Sequence, residues 1–283
     1  WPQEGPERGK LKQIHGWLAD AGRLGFVPVP LAARDGQTVQ EHAGRLWEVV
    51  PWMPGAPERL IPPAKARLVA AMGGLAAFHN SLAHHQITGP SPGMGRRLRE
   101  LEELVAGGFQ SLEQVLTQRK SDPVCALARR WLRAAPVYAP EMIERLRHVA
   151  SQPVALQPCL RDLRAEHLLF EGDRLTGLVD FGAMDVESVA ADLARLLADW
   201  VWQDRTMRAE ALAAYAASRR LSESELALID AFARSAAVLG AGHWVRWHFV
   251  EGRKFDDPTA VSQGLTRCIE RLEKLDAGDG GKV

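Results

Sequence analysis

Along the first fifty-five residues the spacing of apolar positions changes twice. Leu11, Ile14, Leu18 and Ala21 recur at helical spacing and Gly25 follows as a stop, so residues 10 to 24 predict one amphipathic helix. After Pro28 and Pro30, the runs Thr38 to His42 and Leu46 to Trp52 flank Ala43-Gly44-Arg45 and predict a β-hairpin. The segment Pro51 to Gly55 continues neither element, because two prolines withhold N–H donors and Gly55 relaxes the backbone. It is the expected hinge.

Beyond the hinge, helical patterns dominate. Helices are predicted over Ala64 to Ala83, Arg96 to Leu116 with a break at Gly107-Gly108, Asp122 to Ala134, and Pro140 to Ala150. Asp122-Pro123 and Asp257-Pro258 each set a carboxylate before a proline at a helix start, and Ser222-x-x-Glu225 is a capping box. One stretch interrupts, residues 153 to 182. There Val154 to Cys159, His167 to Phe170 and Leu175 to Val179 are short apolar runs, the last two joined by the turn residues Glu171-Gly172-Asp173. The pattern predicts an α+β chain: residues 1–52 as a helix plus hairpin, and residues 53–283 as a mainly helical part holding a β insert at 153–182. No internal repeat is visible.

Composition narrows the class. With 46% hydrophobic and 25% charged residues in 283, the chain is globular in character. Lys plus Arg and Asp plus Glu both number 35, so no net basic field recruits nucleic acid or an anionic membrane. The longest apolar stretch, Leu68 to Phe78, falls short of the roughly 18 residues that span a bilayer. Cys125, Cys159 and Cys268 are odd in number and lack C-x-x-C spacing, which supports neither a disulfide framework nor a zinc ribbon and points to a cytoplasmic setting. Trp1 stands in place of Met and a polar segment follows it, so a fragment cut into an upstream element is expected rather than a secretion signal.

The β insert carries the candidate chemistry. LRDLRAEHLLF (Leu160 to Phe170) is followed by VDFG (Val179 to Gly182), which sets Asp162 and Asp180 at the ends of short strands, where two carboxylates can meet in one cleft. These segments resemble the H-R-D-L-x-x-x-N and D-F-G motifs of protein kinases, and equally the H-G-D-x-x-x-x-N and I-D-F-G segments of aminoglycoside phosphotransferases and choline kinases. LWEVVPWMPG (Leu46 to Gly55) is similar to the family's interlobe linker, Phe78-His79 to the end of its long helix, and Ala190 to Ala194 to the D-L-A helix of the aminoglycoside branch. No A-P-E motif follows, which favours that branch.

The resemblance implies a protein-kinase-like two-lobe fold, with an incomplete N-lobe at 1–52 and a mainly helical C-lobe. It implies ATP-dependent transfer of the γ-phosphoryl group to a hydroxyl of a small molecule. By similarity Asp162 orients that hydroxyl and accepts its proton, Arg164 contacts the transferring phosphoryl, and Asp180 binds magnesium, a hard cation suited to carboxylate oxygen. Val49, Val50, Pro51 and Trp52 would offer backbone groups to the adenine. His167 stands where the family has a metal-binding asparagine; this is compatible with a weaker second magnesium site, with manganese, or with a hydrogen bond to Asp162. Leu160 replaces the motif's histidine. These two departures support an alternative, a nucleotide-binding, pseudokinase-like regulatory protein with weak or no catalysis.

A glycine-rich phosphate loop and a strand lysine do not occur before the first helix, so the chain by itself is expected to be inactive or nearly so. From Ala183 onward, sixteen acidic residues face thirteen Lys and Arg, a balance that does not suit a polycationic antibiotic and leaves a small hydroxylated metabolite as the expected acceptor. The oligomeric state is not legible. His84-His85 reads as a solvated helix end, because no third ligand stands at suggestive spacing. Trp244, Trp247 and Phe249, with His243 and His248, read as core packing or as the lining of an acceptor pocket.

Overall fold

The computed structural model describes Trp1, residues 5–202 and residues 204–275. The chain packs as two compact units, one of Trp1–Gly89 with Pro153–Ile229 and one of Pro90–Gln152 with the chain from Asp230 onward. The segment 1–52 lies wholly within the first unit, together with the β insert.

In the first unit, helix α1 (Arg8–Ala21) buries Leu11, Ile14, Trp17, Leu18 and Ala21, the stripe its spacing predicts. A 3-10 turn, Gly22–Leu24, then ends at Gly25 with φ 73°. Strands β1 (Gln40–His42) and β2 (Arg45–Trp47) pair antiparallel, His42 opposite Arg45. The connecting turn is two residues rather than three: Ala43 (φ 51°) and Gly44 (φ 68°) both adopt the left-handed conformation of hairpin turns whose twist matches the strands. The second strand stops at Trp47, short of the expected Trp52, because residues 48–54 leave the ladder.

The β insert divides between two sheets. Strand β5 (Pro153–Cys159) pairs with β8 (Asp185–Glu187) and lies in one sheet with β4 (Ile87–Pro90). Strands β6 (Leu168–Glu171) and β7 (Arg174–Leu178) form the expected hairpin, and β6 also pairs with β3 (Ala56–Pro57). The strands β3, β4 and β8 escape sequence reading because two to four residues are too few to show alternation. The segment Pro51 to Gly55 is anchored on this sheet: Thr176 Oγ1 donates to the Pro54 carbonyl at 2.7 Å. At Gly55 (φ 99°) a Cβ would stand 2.5 Å from that hydroxyl, so the close approach requires glycine.

Helix α2 (Lys65–Ser81) buries Leu68, Met72, Leu75 and Phe78 and packs on α7 (Arg205–Ala216) and β7. Helix α6 (Ala190–Trp200) begins three residues past β8. At the start of α8 (Glu223–Val245) the capping box forms as read: the Glu225 N–H donates to Ser222 Oγ at 3.1 Å, and the Ser222 N–H to Glu225 Oε2 at 2.9 Å.

In the second unit, α3 (Pro92–Glu103) and α4 (Phe109–Gln118) flank a π-helical turn, Leu104–Gly108, in which Gly107 takes φ 146°. The break thus falls at the predicted glycines. The two helices predicted over 122–134 and 140–150 are instead one, α5 (Cys125–Ala150), which runs through Pro136 and Pro140. Both prolines are on the exposed side, while Ala128, Trp131, Ala135, Ala139, Met142 and Leu146 form a continuous buried face whose packing outweighs the lost hydrogen bonds. Asp122 and Asp257 cap the turns before α5 and before α9 (Ala260–Glu273), accepting from the N–H groups of Val124 and Thr259, so each helix starts past its proline. Phe249 is buried, and Trp244 lies against Phe255 and Gly264, which places these two aromatics in packing roles. Among the described residues no helix is long and apolar enough to cross a membrane.

Candidate functional site

Strand β5 ends at Cys159, and the chain then turns through Arg161, which takes φ 69°. One buried carboxylate holds this turn. Asp192, in the first turn of α6, accepts the backbone N–H of Leu160 at 2.8 Å and of Arg161 at 2.6 Å. It also lies 3.1 Å from His79 Nε2. A carboxylate only accepts, so Nε2 carries the proton and Nδ1 accepts from the Tyr215 hydroxyl at 2.7 Å. Burial holds the His79 pKa below its usual value even with Asp192 beside it, so the ring is neutral. The same burial pushes the Tyr215 hydroxyl and the Cys159 thiol up. These groups form a satisfied polar spine beneath the turn. Its spacing of 113 residues between His79 and Asp192 is invisible in sequence, although both residues sit in segments the family resemblance marks.

Asp162 follows this turn and is half-exposed. Arg164 Nη2 lies 3.4 Å from its Oδ2 and Arg195 Nη2 3.4 Å from its Oδ1, so one carboxylate sits between two guanidinium groups. Arg195 was missed in sequence; it stands three residues after Asp192 on α6, where helical spacing keeps it near the same face.

Asp180 takes φ 67°, a left-handed conformation that costs a residue with a Cβ about 1–3 kcal/mol and persists where the surroundings enforce it. The Val179 N–H donates to the His167 carbonyl at 3.0 Å, and the Met184 N–H to the Phe181 carbonyl at 3.0 Å, fixing the backbone on both sides. The result sets Asp180 Oδ2 3.3 Å from His167 Nε2. His167 is buried, and its Nδ1 has no hydrogen-bond partner among the described residues. The imidazole faces Asp180 and Glu166 rather than Asp162. An oxygen and a nitrogen at this separation fit two ligands of one divalent cation, whose bonds to such donors are about 2.0–2.2 Å.

A cavity of about 510 Å³ opens beside this pair. Val50, Pro51, Trp52 and Met53 line it on one side, and Asp180, Phe181 and Gly182 on the other. Val49 does not line it; its carbonyl accepts the Leu31 N–H at 2.8 Å. Two further polar residues reach the cavity. Buried His15 places Nε2 2.5 Å from Glu48 Oε2 and Nδ1 2.7 Å from Thr38 Oγ1, and Glu48 Oε1 accepts from the Trp1 indole at 3.0 Å. Nothing in their spacing joins His15 to Glu48, so sequence reading did not find them.

The profile of the phosphotransferase enzyme family, APH, matches residues 2–229. The chain belongs to the APH family. Among curated relatives, homoserine kinase of Brucella anthropi is 27% identical over 216 residues, which cover 75% of this chain and 60% of that protein. The chain therefore spans less than two thirds of that relative's length. Among solved structures, an aminoglycoside phosphotransferase from Alicyclobacillus acidocaldarius superposes with TM-score 0.59 at 18% identity, covering 96% of this chain and 82% of that one. Amicoumacin kinase hAmiN, solved with AMP-PNP and Ca2+, gives TM-score 0.62 at 15% identity, over 95% and 78% of the two chains. The α+β, protein-kinase-like fold expected from the motifs is thus the fold of this APH member.

Proposed function

We propose that this APH-family protein transfers the γ-phosphoryl group of ATP to a hydroxyl of a small molecule. The observation that carries the reading is the pairing of Asp180 with His167 at the edge of the hinge-lined cavity, in the same unit as an Asp162 flanked by Arg164 and Arg195. A planar base against Val50 to Trp52 would use free backbone groups of a segment outside any ladder. A divalent cation, magnesium or manganese, would be held by Asp180 and His167 and would offset the charge of the nucleotide phosphates.

Asp162 orients the acceptor hydroxyl and takes its proton as the new O–P bond forms and the bond from the γ-phosphorus to the ADP oxygen breaks. Arg164 and Arg195 hold the Asp162 carboxylate in place, and their positive charge offsets the negative charge that gathers on the transferring group. The fully buried polar spine of Asp192 and His79 keeps the turn before Asp162 from shifting, which positioning chemistry of this kind demands. ATP as donor and the absence of a disulfide among Cys125, Cys159 and Cys268 fit a cytoplasmic setting.

The test is ADP release by the full-length protein with a panel of alcohols, including homoserine, choline and amino sugars, in magnesium and in manganese. Release that depends on one acceptor class supports the reading. Nucleotide binding without ADP release for any acceptor would instead support a nucleotide-binding regulatory protein.

A further inference from the structure

His84 and His85 close the first unit's long helix in a single 3-10 turn, Ala83–His85, and the fold supplies the third ligand that sequence spacing did not reveal. Asp20, in the last turn of α1, lies 64 residues before His84. Its Oδ2 is 3.2 Å from His84 Nε2 and 2.7 Å from His85 Nε2, and the two imidazole centroids are 4.0 Å apart. All three donor atoms lie within 4.8 Å of one another.

We propose that Asp20, His84 and His85 form a binding site for a divalent transition ion, zinc by preference. Ligand atoms bound at 2.0–2.1 Å to a tetrahedral ion stand about 3.3 Å apart; the Asp20–His84 separation of 3.2 Å matches that value, and the Asp20–His85 separation of 2.7 Å would open by a few tenths of an ångström on binding. Two imidazoles and one carboxylate suit zinc and its neighbours, whereas magnesium prefers oxygen throughout. Asp20 supplies the negative charge that a ring of neutral histidines lacks. Asp20 and His84 are exposed, so ions can enter and a fourth position is open to water. A bound ion would tie the end of α1 to the turn that follows α2, two points distant in sequence.

A second cluster sharpens the contrast. His79, Cys159 and Asp192 also lie within 4.8 Å of one another, but all three are buried and committed: Asp192 accepts three N–H groups, and the Cys159 thiol donates to the Glu187 carbonyl at 3.3 Å. That cluster is closed off by burial and by its hydrogen bonds to backbone groups, while the Asp20 cluster is open to solvent and its carboxylate is bonded to the two imidazoles. The proposal is independent of the phosphotransferase reading, since none of the three residues lines the cavity or contacts Asp162, Asp180 or His167.

The experiment is calorimetric titration of the untagged chain with zinc chloride, alongside thermal unfolding with and without zinc. Wild type, Asp20→Asn and the double variant His84→Asn/His85→Asn are compared, and circular dichroism confirms that each variant is folded. The proposal expects one zinc per chain, an affinity at least about tenfold lower in the variants, and a zinc-dependent rise in Tm confined to wild type. Equal zinc affinity in wild type and the double variant, or no binding by wild type, overturns it.

Discussion

Asp192 and His79 meet at 3.1 Å with neither side chain exposed, and through this contact a helix of one segment fixes the turn that carries Asp162. The carboxylate satisfies the Leu160 and Arg161 N–H groups, which would otherwise be buried donors without partners at about 1–3 kcal/mol each. His79 completes the set only while neutral, because its Nδ1 must accept from Tyr215.

A pH dependence of stability follows. The folded-state pKa of His79 is held by burial below the ordinary histidine value of 6.5, so on acidification the unfolded chain takes up a proton that the folded chain refuses. The contribution is fully present above the unfolded pKa and is lost as pH falls below about 6.5, at up to about 1.4 kcal/mol per pH unit. Urea midpoints at pH 7.5 and pH 5.5 measure it. Because the chain has nine histidines, the reading is the difference from His79→Gln, which keeps a donor toward Asp192 and an acceptor toward Tyr215 but does not titrate. The variant should lose less stability on acidification; an identical loss would mean that His79 is not the group responsible.

Asp162→Asn should lower turnover roughly 100-fold or more with little change in acceptor KM, since the amide keeps the shape of the side chain but cannot take the hydroxyl proton. Initial rates across acceptor concentration check this. A variant that lost only acceptor affinity would place Asp162 in binding alone.

His167→Asn separates the remaining readings of that position. If the imidazole ligates the cation, replacing nitrogen by oxygen should shift the preference from manganese toward magnesium, because magnesium favours oxygen donors. The ratio of manganese-supported to magnesium-supported activity in wild type and variant reports it. An unchanged ratio would mean that this side chain does not touch the metal.

The sequence made local structure legible wherever one segment carried its own signal. The α1 stripe, the Gly107 break and the Ser222 to Glu225 cap all stand where their residues place them. The merged helix α5 was not legible, because proline rules weigh the backbone alone while the buried face around Trp131 decides the outcome. Asp162 and Asp180 were found through motif resemblance. Arg195, His15 and Glu48 were not, since each enters the candidate site through tertiary packing across separations that no periodicity records.

The assignment of distinct work to the two carboxylates is the central claim, and calorimetric titration with magnesium and AMP-PNP tests it most directly. Asp180→Asn should abolish the metal-dependent part of nucleotide binding, while Asp162→Asn should bind with nearly wild-type affinity. Equal affinity in wild type and Asp180→Asn, or an equal loss in both variants, would contradict the account.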